Sequence, residues 1–153
     1  MRTITAFMLL AIMAVSCHNG RKTIDYPPQD ISKIDIRYVS AGIFTVASVK
    51  CEDFEPAFRG QIRHIVIDDT AVITKIMYYI DEAPVDTARS GMDVRRQLNI
   101  YWNNKPMESI CMDGGSFQRN GKLYIFTNEL FDVIESMIPK VDRFDTYMKR
   151  REY

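Results

Sequence analysis

The segment 70–83 constrains the fold most strongly, because its apolar side chains recur at the spacing of an α-helix. One apolar stripe contains Val72, Ile73, Ile76, Met77 and Ile80. Asp68 and Asp69 precede the stripe with side chains suited to an N-cap, and Pro84 ends it. A helix with a single apolar stripe has to lie on another layer of structure, since the stripe is stable only when it is buried.

The other layer is predicted by segments in which apolar and polar residues alternate with a period of two. Residues 34–38 and 43–50 are predicted to form a hairpin around Gly42, and residues 62–67 to form a third, more buried strand. Further strands are expected at 94–102, 107–112, 117–119 and 122–126, and Asn120-Gly121 is a strong signal for a two-residue hairpin turn.

A second amphipathic helix is predicted before Pro139. Its apolar positions are Leu130, Phe131, Ile134, Met137 and Ile138. Neighbouring strands joined by tight turns indicate an antiparallel sheet, and each helix has one stripe to place on it. We therefore expect an α+β fold: a two-layer sandwich with a mainly antiparallel sheet of five to seven strands and two main helices on one face.

The first sixteen residues have the pattern of a cleaved signal peptide. Arg2 and the free amino terminus form a short positive region, followed by the mostly apolar run 4–15, which is too short to cross a bilayer. The end of this run, Ala14-Val15-Ser16-Cys17, resembles the lipobox of bacterial lipoproteins, with Ala14 in place of the usual Leu. Plain secretion is one alternative, because small residues at 14 and 16 also suit an ordinary signal peptidase, and a retained anchor is the other.

The resemblance implies the precursor of a small Bacteroidetes-type envelope lipoprotein whose mature chain begins at an acylated Cys17. Residues 1–16 would be the signal peptide, 17–30 the lipidated cysteine and a flexible tether, 31–139 a single α+β domain, and 140–153 a charged C-terminal tail. His18 differs from the Asp that retains such proteins in the inner membrane of enteric bacteria. The expected location is therefore the outer membrane, with the domain facing the periplasm.

Acylation of Cys17 would leave two of the three cysteines, Cys51 and Cys111, inside the domain. In an oxidising compartment such a pair can form a disulfide. The bond would close a loop of about sixty residues and stabilise the fold by roughly 4 kcal/mol in the chain-entropy model. The alternative is two buried free thiols that serve as small apolar side chains.

Charge and motifs argue against several classes of function. The chain has 20 basic and 20 acidic side chains and a formal net charge of zero, which disfavours a nucleic-acid partner. The sequence contains no recognisable catalytic, cofactor-binding or metal motif, so we expect no cofactor, no metal and no enzymatic activity. His64 could join Asp68 or Asp69 and Ser109 or Ser116 in a hydrolytic triad, but no nucleophile motif surrounds either serine.

The strand predicted around 93–102 has a polar face that could bind a partner. This face carries Arg95, Gln97, Asn99 and Tyr101, opposite the apolar Leu98, Ile100 and Trp102. If the helices cover the apolar face, the polar face is open, and Arg and Tyr are enriched at protein interfaces; the alternative is ordinary solvated strand residues. We therefore expect a non-enzymatic envelope lipoprotein that binds a protein, comparable to inhibitors of cell-wall hydrolases or immunity proteins. A periplasmic hydrolase or a small-ligand-binding domain is the alternative.

Overall fold

The computed structural model describes residues 30–143, which form one sheet and three helices. The strands are β1 (Ile31–Tyr38), β2 (Arg63–Ile67), β3 (Arg96–Trp102), β4 (Lys105–Met112), β5 (Ser116–Arg119) and β6 (Lys122–Ile125). The helices are α1 (Phe54–Ala57), α2 (Thr70–Glu82) and α3 (Asn128–Met137). All strand pairs are antiparallel, in the spatial order β2-β1-β3-β4-β5-β6. The predicted α+β fold with five to seven strands is confirmed.

Two tight turns connect the strands of the meander. Asn103 and Asn104 have φ angles of 47° and 61°, and Asn120 and Gly121 have φ angles of 50° and 74°. Two successive residues with positive φ are what a type I′ hairpin turn requires, and Asn and Gly adopt that conformation at least cost. The turns therefore join β3 to β4 and β5 to β6 directly.

The main core lies between one face of the sheet and the helices α2 and α3. Its fully buried members include Ile34, Ile36, Ile73, Ile76, Leu98, Ile100, Ile110, Phe117, Leu130 and Ile134. Helix α2 begins where the sequence predicts, because Asp69 Oδ1 accepts hydrogen bonds from the amides of Ala71 (2.8 Å) and Val72 (3.2 Å). A buried ion pair between Arg96 and Glu135 ties β3 to α3. Burial lowers the pKa of Arg96 to about 10 against the opposing effect of Asp113, so the guanidinium stays charged at neutral pH.

A second, smaller core lies on the opposite face of the sheet. It is built from Val39, Val49, Phe54, Phe58, Val94 and Cys111. The segment 39–62, which includes α1, lies across one half of this face. A disulfide joins Cys51 in that segment to Cys111 in β4, with 5.7 Å between the two Cα atoms, inside the usual range for such a bond.

Two predictions about the strands are wrong. Residues 43–50 form no strand, because both edges of β1 are already paired with β2 and β3 and no edge remains for a hairpin. The segment 63–67 is an edge strand with Arg63, His64 and Val66 exposed, and not the more buried strand expected. Its β-branched residues predict strand conformation but carry no information about depth in the fold.

The domain also continues past residue 139, where the sequence placed the start of a charged tail. Residues Lys140–Asp142 form a 3-10 turn. The Asp142 side chain is buried and forms an ion pair with Arg63, and its carbonyl accepts a hydrogen bond from the Ala41 amide (3.2 Å). The expected signal peptide, Cys17, the tether up to residue 29 and residues 144–153 lie outside the described residues.

Candidate functional site

The face of the sheet opposite α2 and α3 contains all the side chains expected to form a partner-binding surface. The strand register arranges this face in rows. The first row contains His64, Arg37, Gln97 and Cys111; the second contains Val66, Asp35, Asn99 and Ser109; the third contains Lys33 and Tyr101. The rows divide the face into a covered half around Gln97 and an open half around Asn99 and Tyr101.

The covered half is held closed by Arg95. The guanidinium donates hydrogen bonds to the carbonyl of Ile43 (3.1 Å) and to the Thr45 hydroxyl (2.9 Å), and lies 5.3 Å from the centre of the Phe58 ring. It also pairs with Asp93, whose other carboxylate oxygen accepts a hydrogen bond from the Val49 amide (2.9 Å). Arg95 therefore fastens the segment 39–62 onto the sheet.

A second ion pair closes the same half at β1. Arg37 pairs with Glu55, and this contact is the main reason why the pKa of the Glu55 carboxyl lies below its ordinary value. Arg37 also donates to Gln97 Oε1 (3.4 Å), and Gln97 in turn contacts the sulfur of Cys111 (3.9 Å). These polar side chains belong to the packing beneath α1.

The prediction that the whole polar face of the long strand is open is therefore wrong at one end. Arg95 is 9% exposed and Gln97 is half-buried under the segment 39–62, whose covering role no local sequence pattern indicates. Asn99 and Tyr101 do lie on the uncovered part of the face, and both are half-buried among their strand neighbours. Of the apolar set opposite, Leu98 and Ile100 are fully buried, whereas Trp102 at the strand end is 42% exposed.

We call the uncovered part the open half-face and define it as Lys33, Asp35, His64, Asn99 and Tyr101. The Lys33 ammonium lies 4.7 Å from the centre of the Tyr101 ring, a cation–π contact that orients both side chains. Asp35 Oδ1 is 3.6 Å from His64 Nδ1. The sequence alone does not identify Lys33, Asp35 and His64 as neighbours of Asn99 and Tyr101, because their proximity depends on the β1–β3 and β1–β2 registers.

The hydrolytic triad considered from the sequence does not assemble. His64 on β2 and Ser109 on β4 are three strand spacings of about 4.8 Å apart, so their backbones are separated by about 14 Å. Ser116 is fully buried and donates a hydrogen bond to Asp86 Oδ2 (2.8 Å). Asp69 is occupied as the cap of α2. In residues 30–143 no group of three His, Cys, Asp or Glu side chains has the arrangement of a metal site.

A cleft of about 640 Å³ lies beside the disulfide. Its walls include Lys50, Cys51, Arg89, Met92, Asp93 and Asp113. Arg89 Nη1 lies 3.3 Å from Asp113 Oδ2, and Arg89 Nε lies 3.7 Å from Asp86 Oδ2. Asp113 Oδ1 also accepts hydrogen bonds from the amides of Gly115 and Ser116, both at 2.6 Å. These hydrogen bonds and ion pairs hold the loops around the cleft.

No helix in residues 30–143 is long and apolar enough to span a membrane.

Comparisons with known proteins add no relative. The chain matches no family model, no curated protein and no solved structure.

Proposed function

We propose that the protein is a lipid-anchored, non-enzymatic module of the bacterial cell envelope that binds a protein partner through the open half-face. The observation that carries the proposal is that only one half of this sheet face is covered. One half is covered by the segment 39–62, which Arg95 and the Cys51–Cys111 disulfide hold in place, whereas no element within residues 30–143 packs over Asn99 and Tyr101.

The chemistry of the open half-face suits a protein surface. It combines an aromatic ring, an amide, a cation and a carboxylate on three adjacent strands, and the aromatic residue, Tyr101, is of a type enriched at protein interfaces and among their hot spots. The side chains project from a paired sheet, so little backbone freedom remains to be lost on binding. The contact between Lys33 and Tyr101 restricts the ring further.

The envelope location is supported by the disulfide together with the leader. Disulfides persist in the periplasm and at cell surfaces and are rare in the reducing cytosol. The bond between Cys51 and Cys111 therefore fits an exported domain. The pattern Ala14-Val15-Ser16-Cys17 supports an anchor at Cys17, and acyl chains contribute about 0.8 kcal/mol for each buried methylene.

The binding proposal is tested by photocrosslinking in cells of the native host. A photoreactive amino acid at position 99 should crosslink to a defined envelope protein, and Tyr101→Ala in the same chain should abolish that product. The matched control is Tyr78→Ala, since Tyr78 is 61% exposed on α2, on the other side of the sheet. An absent product, or a product insensitive to Tyr101→Ala, would remove the open half-face as the binding surface.

The anchor is tested separately by changing Cys17. Intact mass of the membrane-extracted protein should show residues 18–153 plus an acylated cysteine, and Cys17→Ala should move the protein out of the membrane fraction. A Cys17→Ala protein that stays with the membrane would contradict the anchor while leaving the crosslinking result untouched.

The cleft beside the disulfide supports a second candidate function, the binding of a small ligand. Its volume of about 640 Å³ is within the range of ligand sites. Native mass spectrometry of the protein purified from its own envelope would detect a bound molecule, and Met92→Trp, which places an indole into the cleft, should displace it. A protein free of any bound small molecule would count against this candidate.

A further inference from the structure

The strand β2 has an edge that no other part of the described structure covers. It pairs with β1 on one side and is the last strand of the sheet. Within residues 30–143, no backbone hydrogen bond reaches the other side of Arg63–Ile67. Unpaired N–H and C=O groups along such an edge are a template for another strand.

Two other strand edges, those of β6 and β4, are protected. The outer edge of β6 bonds to the segment 84–86, through Ile125 N to the Pro84 carbonyl and Asp86 N to the Leu123 carbonyl, both at 2.9 Å. The part of β4 beyond its short pairing with β5 begins with Lys105 and Pro106, a charge and a missing N–H that discourage strand addition. The centre of β2, Ile65-Val66-Ile67, has no proline, lysine or bulge.

An apolar groove of about 540 Å³ runs beside this bare edge. It is lined by Ile65 and Ile67 of β2, Val72 of α2, and Val133 and Met137 of α3, among others. Val66, on the other face of the same strand, is 55% exposed. A strand added to β2 would therefore bury apolar side chains as well as pair backbone groups.

The charges along β2 favour one orientation for the added strand. Arg63 and His64 lie at its start, and Asp68 and Asp69 follow directly after its end. A second copy of β2 running antiparallel would place each basic start beside the acidic end of the other copy. A parallel arrangement would instead bring like charges together.

We propose that β2 is a homodimer interface, in which two copies of this chain pair their β2 strands antiparallel around a two-fold axis at Ile65. In an antiparallel pair, residues that face each other have their side chains on the same side of the sheet. Pairing Ile65 with Ile65 of the second copy meets this condition. His64 then faces Val66 of the second copy, and Arg63 faces its Ile67, next to its Asp68. The two sheets become one continuous sheet of twelve strands, and the contact is the same patch on both copies.

The test is the concentration dependence of the mass of the purified protein, measured by sedimentation equilibrium. We expect twice the mass of one chain at high concentration, dissociating on dilution. Val66→Lys should weaken the dimer at least about tenfold, because it puts a lysine, a side chain that discourages strand addition, into the strand edge that would pair. The matched control is Val46→Lys, since Val46 is also exposed but lies in the segment 39–62 and not in β2. The dimer of this variant should be unchanged.

Hydrogen exchange distinguishes the second copy from other occupants of the edge. Protection of β2 amides should rise with protein concentration and fall in Val66→Lys. Protection that is independent of concentration, and that is lost when the chain is truncated after residue 143, would assign the edge to the chain's own C-terminal segment and overturn the proposal. A monomer at every concentration, or a dimer equally sensitive to both lysine variants, would also overturn it.

Discussion

Breaking the Cys51–Cys111 disulfide should cause a large loss of stability. Cys111 is fully buried in the second core, and Cys51 belongs to the segment 39–62 that lies over it. Replacing either cysteine by alanine removes the crosslink but keeps a small apolar side chain at that position. The effect therefore acts mainly by releasing the unfolded chain from a constraint.

The magnitude follows from the length of the closed loop. The two cysteines are separated by 60 positions, and the chain-entropy model assigns about 4 kcal/mol to a loop of this length. A domain of ordinary stability has about 5–15 kcal/mol in total. Cys51→Ala and Cys111→Ala should each lose about this amount, and the double variant should lose little more, because all three lack the same single bond.

Urea denaturation followed by circular dichroism, under non-reducing conditions, measures the free energies of unfolding. The double-mutant cycle should give a coupling energy of about 4 kcal/mol between the two cysteines. Reductant should bring the wild type to the level of the double variant and leave that variant unchanged. Losses that add, or single losses below about 1 kcal/mol, would refute the entropic reasoning.

Two further predictions concern carboxylates. Asp69→Ala should lower the free energy of unfolding by about 1 kcal/mol, because it removes the cap of α2. Asp68 is exposed and makes no capping contact, so Asp68→Ala should change that free energy by less than about 0.5 kcal/mol. Equal losses in urea denaturation would contradict the assignment of the cap. The hydrogen bond from the Ser116 hydroxyl is the main reason why the pKa of Asp86 lies below its ordinary value of 3.8. The ionised carboxylate therefore stabilises the fold above pH 3.8, and this stabilisation is lost as the pH falls through the lowered pKa. Asp86→Asn should therefore flatten the acid limb of the stability–pH curve, and an unchanged limb would contradict the contact.

The sequence predicts those parts of the fold that depend on local physics. The stripe on α2 and the cap at Asp69 act within one helix, and the hairpin at Asn120-Gly121 needs only two residues with positive φ. Interactions over three or four residues determine these elements, so their positions follow from spacing. The pairing of β5 with β6 follows in turn, because a tight turn implies an antiparallel neighbour.

The order of the strands could not be predicted in the same way. Residues 43–50 have the composition of a strand, and only the presence of β2 and β3 on both sides of β1 removes their pairing site. The candidate site depends on the same long-range fact. Tyr101 becomes a neighbour of Lys33 through the register of β1 with β3, two strands almost seventy positions apart in sequence.

Arg95 shows why alternation alone misjudges a sheet face. It lies on the predicted polar face, but its guanidinium donates hydrogen bonds to Ile43 and Thr45 and lies 5.3 Å from the centre of the Phe58 ring, so it serves a buried layer. Arginine can do this because its long stem is apolar and its donors reach backbone carbonyls. The same pattern of residues therefore gives an anchor where another segment covers the sheet. Where no segment of residues 30–143 covers the sheet, at Asn99 and Tyr101, the same pattern leaves half-buried side chains on an uncovered face.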